Sequence, residues 1–217
     1  MLKDDTLLRD RYRIIRHLSK GGMGTVYLAK DENLGVTVAI KQNSFDDLHL
    51  IEAFKREARL LAGLRYPALP QVKDYFINEA GQFLVMEYIA GDDLGTVLDK
   101  RAANIAPAGE PKPFEVDDIL NWAEQLLDTL AYLLTRPEPV GHRDIKPQNL
   151  KLAEGDQIIL LDFGLAKGKP QGMTQVTTGS IYGYTPTYAP LEQIRGAGTD
   201  PRSDLYALGA TLYHLIT

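Results

Sequence analysis

The strongest constraint on the fold of this chain is a change of hydrophobic period near residue 90. Before it, short runs rich in β-branched and aromatic residues read as strands: Tyr12 to Leu18, Thr25 to Lys30 and Gly35 to Gln42. Turn residues separate them, as Ser19-Lys20-Gly21-Gly22 and Asp31-Glu32-Asn33. One helix is expected over Asp47 to Leu64, because Ile51, Phe54, Ala58 and Leu61 step by 3, 4 and 3 residues along one face. Two more strands follow, Val72 to Asn78 and Gln82 to Tyr88, joined by Glu79-Ala80-Gly81.

After residue 91 the pattern turns helical. Residues 99–114, rich in Ala, Pro and Lys, read as a loop. Val116 to Thr135 carries Ile119, Ala123, Leu126, Leu127, Leu130, Leu133 and Leu134, a stripe wide enough for a buried helix. Gln157 to Leu161 reads as a short strand, and Ser203 to Ile216 as an apolar helix with Ser203 as its N-cap. A small β-rich lobe over 1–88 and a mainly helical lobe over 89–217 are the expectation, with an extended connection near 87–92.

Composition narrows the function classes. The 24 Lys and Arg stand against 29 Asp and Glu, a net charge of −5, which argues against a dedicated nucleic-acid binder. With no cysteine there is no disulfide, thiolate metal site or thiol nucleophile. The histidines His17, His49, His142 and His214 are scattered, without zinc-ligand spacing. No apolar run approaches the roughly 18 residues of a membrane span. The start, Met1-Leu2-Lys3-Asp4-Asp5, has no apolar signal core, so a cytoplasmic location is expected.

Three segments carry chemistry. Gly21-Gly22-Met23-Gly24-Thr25-Val26 lies between two strands, where glycines let the backbone approach a ligand and turn N–H groups toward phosphate oxygens. Alone it reads equally well as an ordinary hairpin turn. Val38-Ala39-Ile40-Lys41 sets one Lys among apolar residues, and Glu57 flanks the apolar stripe of the following helix. A pair between them would hold the amine over phosphates, although the sequence alone leaves that contact open. The most informative segment is His142-Arg143-Asp144-Ile145-Lys146-Pro147-Gln148-Asn149, followed by Asp162-Phe163-Gly164. Carboxylates and an amide on nearby loops suit a hard divalent cation with few protein ligands. A further carboxylate can take a hydroxyl proton, and a neighbouring Lys can balance phosphate charge.

In this order, from glycine loop to the Pro190-Leu191-Glu192 segment, the motifs resemble the bacterial branch of the eukaryotic-type serine/threonine protein kinases. The resemblance runs from about residue 12 to the end. It implies an α+β, two-lobed kinase-like fold with a small antiparallel sheet lobe carrying one helix. It also implies Mg²⁺-dependent transfer of the ATP γ-phosphoryl group, with Mn²⁺ as the alternative ion, to Ser or Thr of proteins. Residue by residue, Gly21, Gly22 and Gly24 would cover the phosphates, while Val26 and Ala39 would sandwich adenine. Met86 would be the gatekeeper, and Glu87 and Ile89 would offer backbone hydrogen bonds to the base. Lys41 would hold the α- and β-phosphates and pair with Glu57, Asp144 would be the catalytic base, and Lys146 would steady the γ-phosphate. Asn149 and Asp162 would hold the metal. His142 would pack with Phe163 and Leu61, and Asp204 would brace the catalytic loop.

Lys146 and Thr185 point to Ser/Thr rather than Tyr within that family. Arg143 implies an activation segment read by phosphorylation, with Thr174, Thr177, Thr178 and Ser180 as acceptors and a second copy of the chain as partner for autophosphorylation. Departures are Ser19 in place of the first glycine, Gly141 before the catalytic loop, and Pro190-Leu191-Glu192 in place of Ala-Pro-Glu. The helical lobe is expected to be incomplete. The face Leu205, Leu208, Leu212 and Leu215 would then lack cover, and a longer protein could carry a membrane tether. A nucleotide-binding scaffold without catalysis is the alternative from another class.

Overall fold

The computed structural model describes residues 1–21, 24–43, 48–103, 114–162, 185–197 and 200–217, and leaves out the side chains of residues 48–50, 53 and 57. The chain forms two compact units. One is built on Met1–Arg65 and Pro70–Ile89, the other on Tyr66–Leu69 and the described chain from Ala90 onward.

The first unit is an antiparallel sheet of six strands: β1 (Leu7–Leu8), β2 (Tyr12–Gly21), β3 (Gly24–Asp31), β4 (Val36–Asn43), β5 (Val72–Asn78) and β6 (Gly81–Glu87). They lie in the order β1-β2-β3-β4-β6-β5. The β3–β4 turn forms because the Asp31 carboxylate accepts the N–H groups of Asn33 and Leu34 at 3.1 and 3.3 Å, and Gly35 takes φ +70°. Strand alternation then puts Tyr12, Ile14, Tyr27, Ala29, Val38, Ile40, Phe76, Phe83 and Val85 into one buried cluster with Leu8. Phe76 stacks between Tyr12 at 5.9 Å and Phe83 at 4.9 Å. The helix α1 (Leu48–Ala62) buries Phe54, Ala58 and Leu61, the face its spacing predicts. β1 escapes the sequence reading because two residues are too few to show an alternation.

The second unit holds α2 (Leu94–Ala103), α3 (Val116–Leu134), the hairpin β7 (Leu150–Leu152) and β8 (Ile158–Leu160), the short α4 (Leu191–Ile194) and α5 (Pro201–Ile216). α2 corrects the loop expected from residue 99. Asp93 caps it by accepting Thr96 N–H at 2.8 Å and Thr96 Oγ1–H at 2.9 Å, and Lys100 and Arg101 suit the negative end of its dipole. The stripe on α3 is narrower than expected. Ile119, Trp122, Leu126, Thr129 and Leu133 are buried, whereas Leu127 and Leu134 are exposed. The N-cap of α5 is Asp200, not Ser203. Asp200 Oδ1 accepts Arg202 N–H at 2.7 Å, Ser203 Oγ accepts Asp200 N–H at 3.4 Å, and Pro201 occupies the first turn. The uncovered face expected on α5 fails at Leu208 and Leu215, which are 3% and 1% exposed; Leu205 is exposed.

Candidate active site

In the first unit, strand register assembles one sheet face from residues far apart in sequence. Direct partners in an antiparallel pair point the same way, so Val26↔Lys41, Leu28↔Ala39, Lys41↔Leu84 and Ala39↔Met86 share a face. Val26, Ala39, Lys41 and Met86 are thereby brought side by side, with Lys41 6% and Ala39 8% exposed. Gly24 sits at the mouth of the β2–β3 hairpin, opposite Gly21. It has φ +139°, and a Cβ there would meet Gln42 O at 2.2 Å and Asn43 Oδ1 at 2.3 Å, so only glycine fits without a shift of β4. Ser19 pairs with Val26 just past a register shift between His17 and Ser19. Glu87 closes β6 next to the neighbouring strand β5. Its N–H donates to Gln71 O at 2.8 Å, which leaves at most its carbonyl for a nucleobase.

The second unit holds the segment 142–149 through several of its backbone polar groups. Asp204, on α5, is 4% exposed and accepts His142 N–H at 2.7 Å and Arg143 N–H at 2.6 Å. Thr211, two turns further along α5, donates to Ala207 O at 2.7 Å and brings the same hydroxyl within 3.2 Å of Ile145 O. Gln193 of α4 donates to Arg143 O at 2.8 Å. A 3-10 turn over Pro147–Asn149 closes with Asn149 N–H on Lys146 O at 2.9 Å. Ile145 and Leu150, both fully buried, plug the loop into the unit's core. Backbone partners of this kind are what a buried irregular segment requires.

The result is a fixed cluster around Asp144, which is 7% exposed. Its Oδ2 accepts from Asn149 Nδ2 at 3.0 Å and lies 3.1 Å from Lys146 Nζ. Lys146 Nζ also donates to Thr185 Oγ1 at 2.8 Å, and that hydroxyl lies 3.4 Å from Asp144 Oδ1. Both Nδ2 bonds of Asn149 run to Asp144, the second to its carbonyl at 2.7 Å, so Asn149 turns its amide oxygen elsewhere as an acceptor. Leu161 N–H donates to Asn149 O at 2.8 Å, which ties the residue before Asp162 to the same place. Asp162 is exposed and has φ +55°. The donor set of an amide oxygen and a carboxylate fits a hard cation such as Mg²⁺.

His142 is fully buried and structural. Its Nε2 faces Leu161 O at 2.8 Å and Nδ1 accepts Asp144 N–H at 3.3 Å, which selects the neutral ring with the proton on Nε2. Gln193 and Thr211 escaped sequence reasoning, since nothing in their spacing from Asp144 announces a contact. Gly22, Phe163, Thr174, Thr177, Thr178 and Ser180 lie outside the described residues, as does the Glu57 side chain and hence its pairing with Lys41.

The chain is similar to the serine/threonine-protein kinase pkn2 of Myxococcus xanthus, 38% identical over 226 residues that cover 100% of this chain and 26% of the relative. It is similar also to the tyrosine-protein kinase MasK of the same species, 33% identical over 214 residues covering 95% of this chain and 32% of the relative. Among solved structures, the apo form of PpkA-294 matches with a TM-score of 0.77 and 25% identity, over 99% of this chain and 78% of that one. The chain thus spans about a quarter to a third of the length of these two curated relatives. The profile described as "Protein kinase domain" matches residues 12–217, from the first long strand through α5 and every element of the cluster around Asp144. By that match the chain belongs to the protein kinase domain family.

Proposed function

We propose that the chain transfers the γ-phosphoryl group of ATP to Ser or Thr hydroxyls of proteins. The observation that carries this reading is the cluster of Asp144, Lys146, Asn149 and Thr185, a buried carboxylate held by an amide, an ammonium and a hydroxyl. In this reading residues 1–88 bind nucleotide. Gly21, Gly22 and Gly24 cover the phosphates, Val26 and Ala39 flank the adenine, and Lys41, set by Glu57, holds the α- and β-phosphates. The carbonyl of Glu87 and the backbone of Ile89 contact the base. Residues 89–217 carry out the chemistry.

Asp144 accepts the proton of the attacking hydroxyl as its oxygen bonds to the γ-phosphorus and the bridging bond to ADP breaks. Lys146 moves its charge onto the γ-phosphoryl oxygens, where negative charge concentrates. Asn149 and Asp162 hold a divalent cation, Mg²⁺ or Mn²⁺, which when bound supplies positive charge to the phosphate oxygens. Little covalent work falls to the protein, so the rate rests on positioning and charge. The reading also places the lobe where ATP is available, in the cytoplasm, and has a second copy phosphorylate Thr177 or Thr178.

The test is Mg²⁺-dependent transfer of labelled γ-phosphate to the chain and to a Ser/Thr-rich protein, with Asp144→Asn as baseline and the labelled amino acid identified after hydrolysis. Wild-type transfer at least about a hundredfold above Asp144→Asn, on Ser or Thr, is expected for loss of a general base. Label on Tyr overturns the Ser/Thr assignment, and no excess over the baseline overturns the kinase reading.

A further inference from the structure

The catalytic segment contains a residue in an unfavourable conformation next to its most important side chain. Arg143 has φ +68°, left-handed backbone that a residue with a Cβ rarely adopts. The conformation persists only if neighbouring groups enforce it. On the N-terminal side that is clear, since Asp204 takes the N–H groups of both His142 and Arg143. The other side is the peptide unit between Arg143 and Asp144, whose orientation decides where the Asp144 carboxylate points.

That peptide is gripped at both of its polar atoms. Its oxygen, Arg143 O, accepts from Gln193 Nε2 at 2.8 Å, and its N–H, that of Asp144, donates to His142 Nδ1 at 3.3 Å. The first bond is short and the second long, so the Gln193 contact is the stronger of the two. Gln193 is itself seated from outside the loop. Its neighbour Glu192 accepts Ser203 Oγ–H at 2.9 Å, and Ser203 belongs to the capping box that starts α5. A donor on α4, anchored through α5, therefore fixes the plane of the peptide that precedes Asp144.

We infer that Gln193 is a positioning residue for the catalytic carboxylate: it holds the Arg143–Asp144 peptide in its left-handed setting and so aims Asp144. That Asp144 is catalytic rests on the phosphoryl-transfer reading; the grip on the peptide stands apart from it. Gln193→Glu keeps the shape and replaces the donor by an acceptor facing a carbonyl, and Gln193→Ala removes the side chain.

Both variants are to be compared with wild type in steady-state transfer, thermal melting and hydrogen exchange of the Asp144 amide by NMR, with Asp144→Asn as baseline. A fall in kcat of about tenfold or more is expected, with KM for ATP held within about twofold, as for loss of alignment rather than of binding. The Asp144 amide should exchange faster in both variants, with the melting midpoint little changed. An Asp144 amide that exchanges at the wild-type rate overturns the inference, as does an unchanged kcat against an active wild type, or a loss of kcat matched by loss of folded protein. If wild type transfers nothing above Asp144→Asn, the kinase reading falls, and the exchange rates alone still decide whether Gln193 holds the peptide.

Discussion

At the scale of single residues, Thr185 bridges the two groups with opposite charge at the site. Its hydroxyl accepts from Lys146 Nζ at 2.8 Å and lies 3.4 Å from Asp144 Oδ1. Without it, Lys146 has the Asp144 carboxylate as its nearest partner, and a tighter direct pair would hold both side chains back from substrate. Thr185→Val is expected to lower kcat by about tenfold, the weight of a hydrogen bond to a charged group, while Thr185→Ser retains most activity. Rates for the two variants side by side check this, because Val keeps the shape of Thr without the hydroxyl and Ser keeps the hydroxyl without the methyl. The residues of this cluster were legible in the sequence as an ordered set. Their mutual contacts were not, since Thr185 stands 41 positions from Asp144 and the fold alone joins them.

Between elements, the start of β2 is fastened to the end of β3 by Arg11, which meets Asp31 through two bonds at 3.0 and 2.7 Å. The Asp31 side chain is 2% exposed and also accepts the turn N–H groups of Asn33 and Leu34. The Arg11 guanidinium, followed by those turn N–H groups, holds the Asp31 carboxyl below its ordinary value of 3.8. A carboxyl whose folded value is depressed adds stability above its unfolded value and loses that contribution as pH falls through the folded one. Arg11→Ala should therefore melt below wild type at neutral pH, and the gap should narrow as pH drops beneath 3.8. Melting curves across that range decide it. Elements with long period-matched stripes, such as α1 and β3 to β6, were legible to within a few residues. α2 was not, because Lys100, Arg101 and the alanines beside them look like a solvated loop until Asp93 is seen to cap it. The stripe on α3 was misjudged for a related reason: leucine is common on exposed faces, and Trp122 and Thr129, not Leu127 and Leu134, line the seam.

Across the whole molecule, two compact units carry separate parts of the proposed machinery: the sheet face with Lys41 in one, the loop around Asp144 in the other. Under this reading the residues proposed for ATP lie mostly in the first unit, and Asn149 and Asp162, proposed for Mg²⁺, both lie in the second. The pair of ligands should then stabilise the folded chain more than either alone. At about a hundredfold excess over the dissociation constant, linkage gives about 2.7 kcal/mol, a rise of several degrees in the melting midpoint. Asp162→Asn should remove the Mg²⁺-dependent part of that rise and leave the part due to ATP alone. Calorimetry with ATP, Mg²⁺ and both, on the two proteins, measures each contribution.

The ring of His142 has one further consequence. It lends a proton at Nε2 to the Leu161 carbonyl and receives one at Nδ1 from the Asp144 amide, so its two nitrogens have opposite duties. A second proton on that ring would set one donor against another at the peptide on which Asp144 depends. The segment proposed to take a proton from substrate is thus built on a neighbour that must not take one, and acid would disturb the geometry around Asp144 as well as its charge.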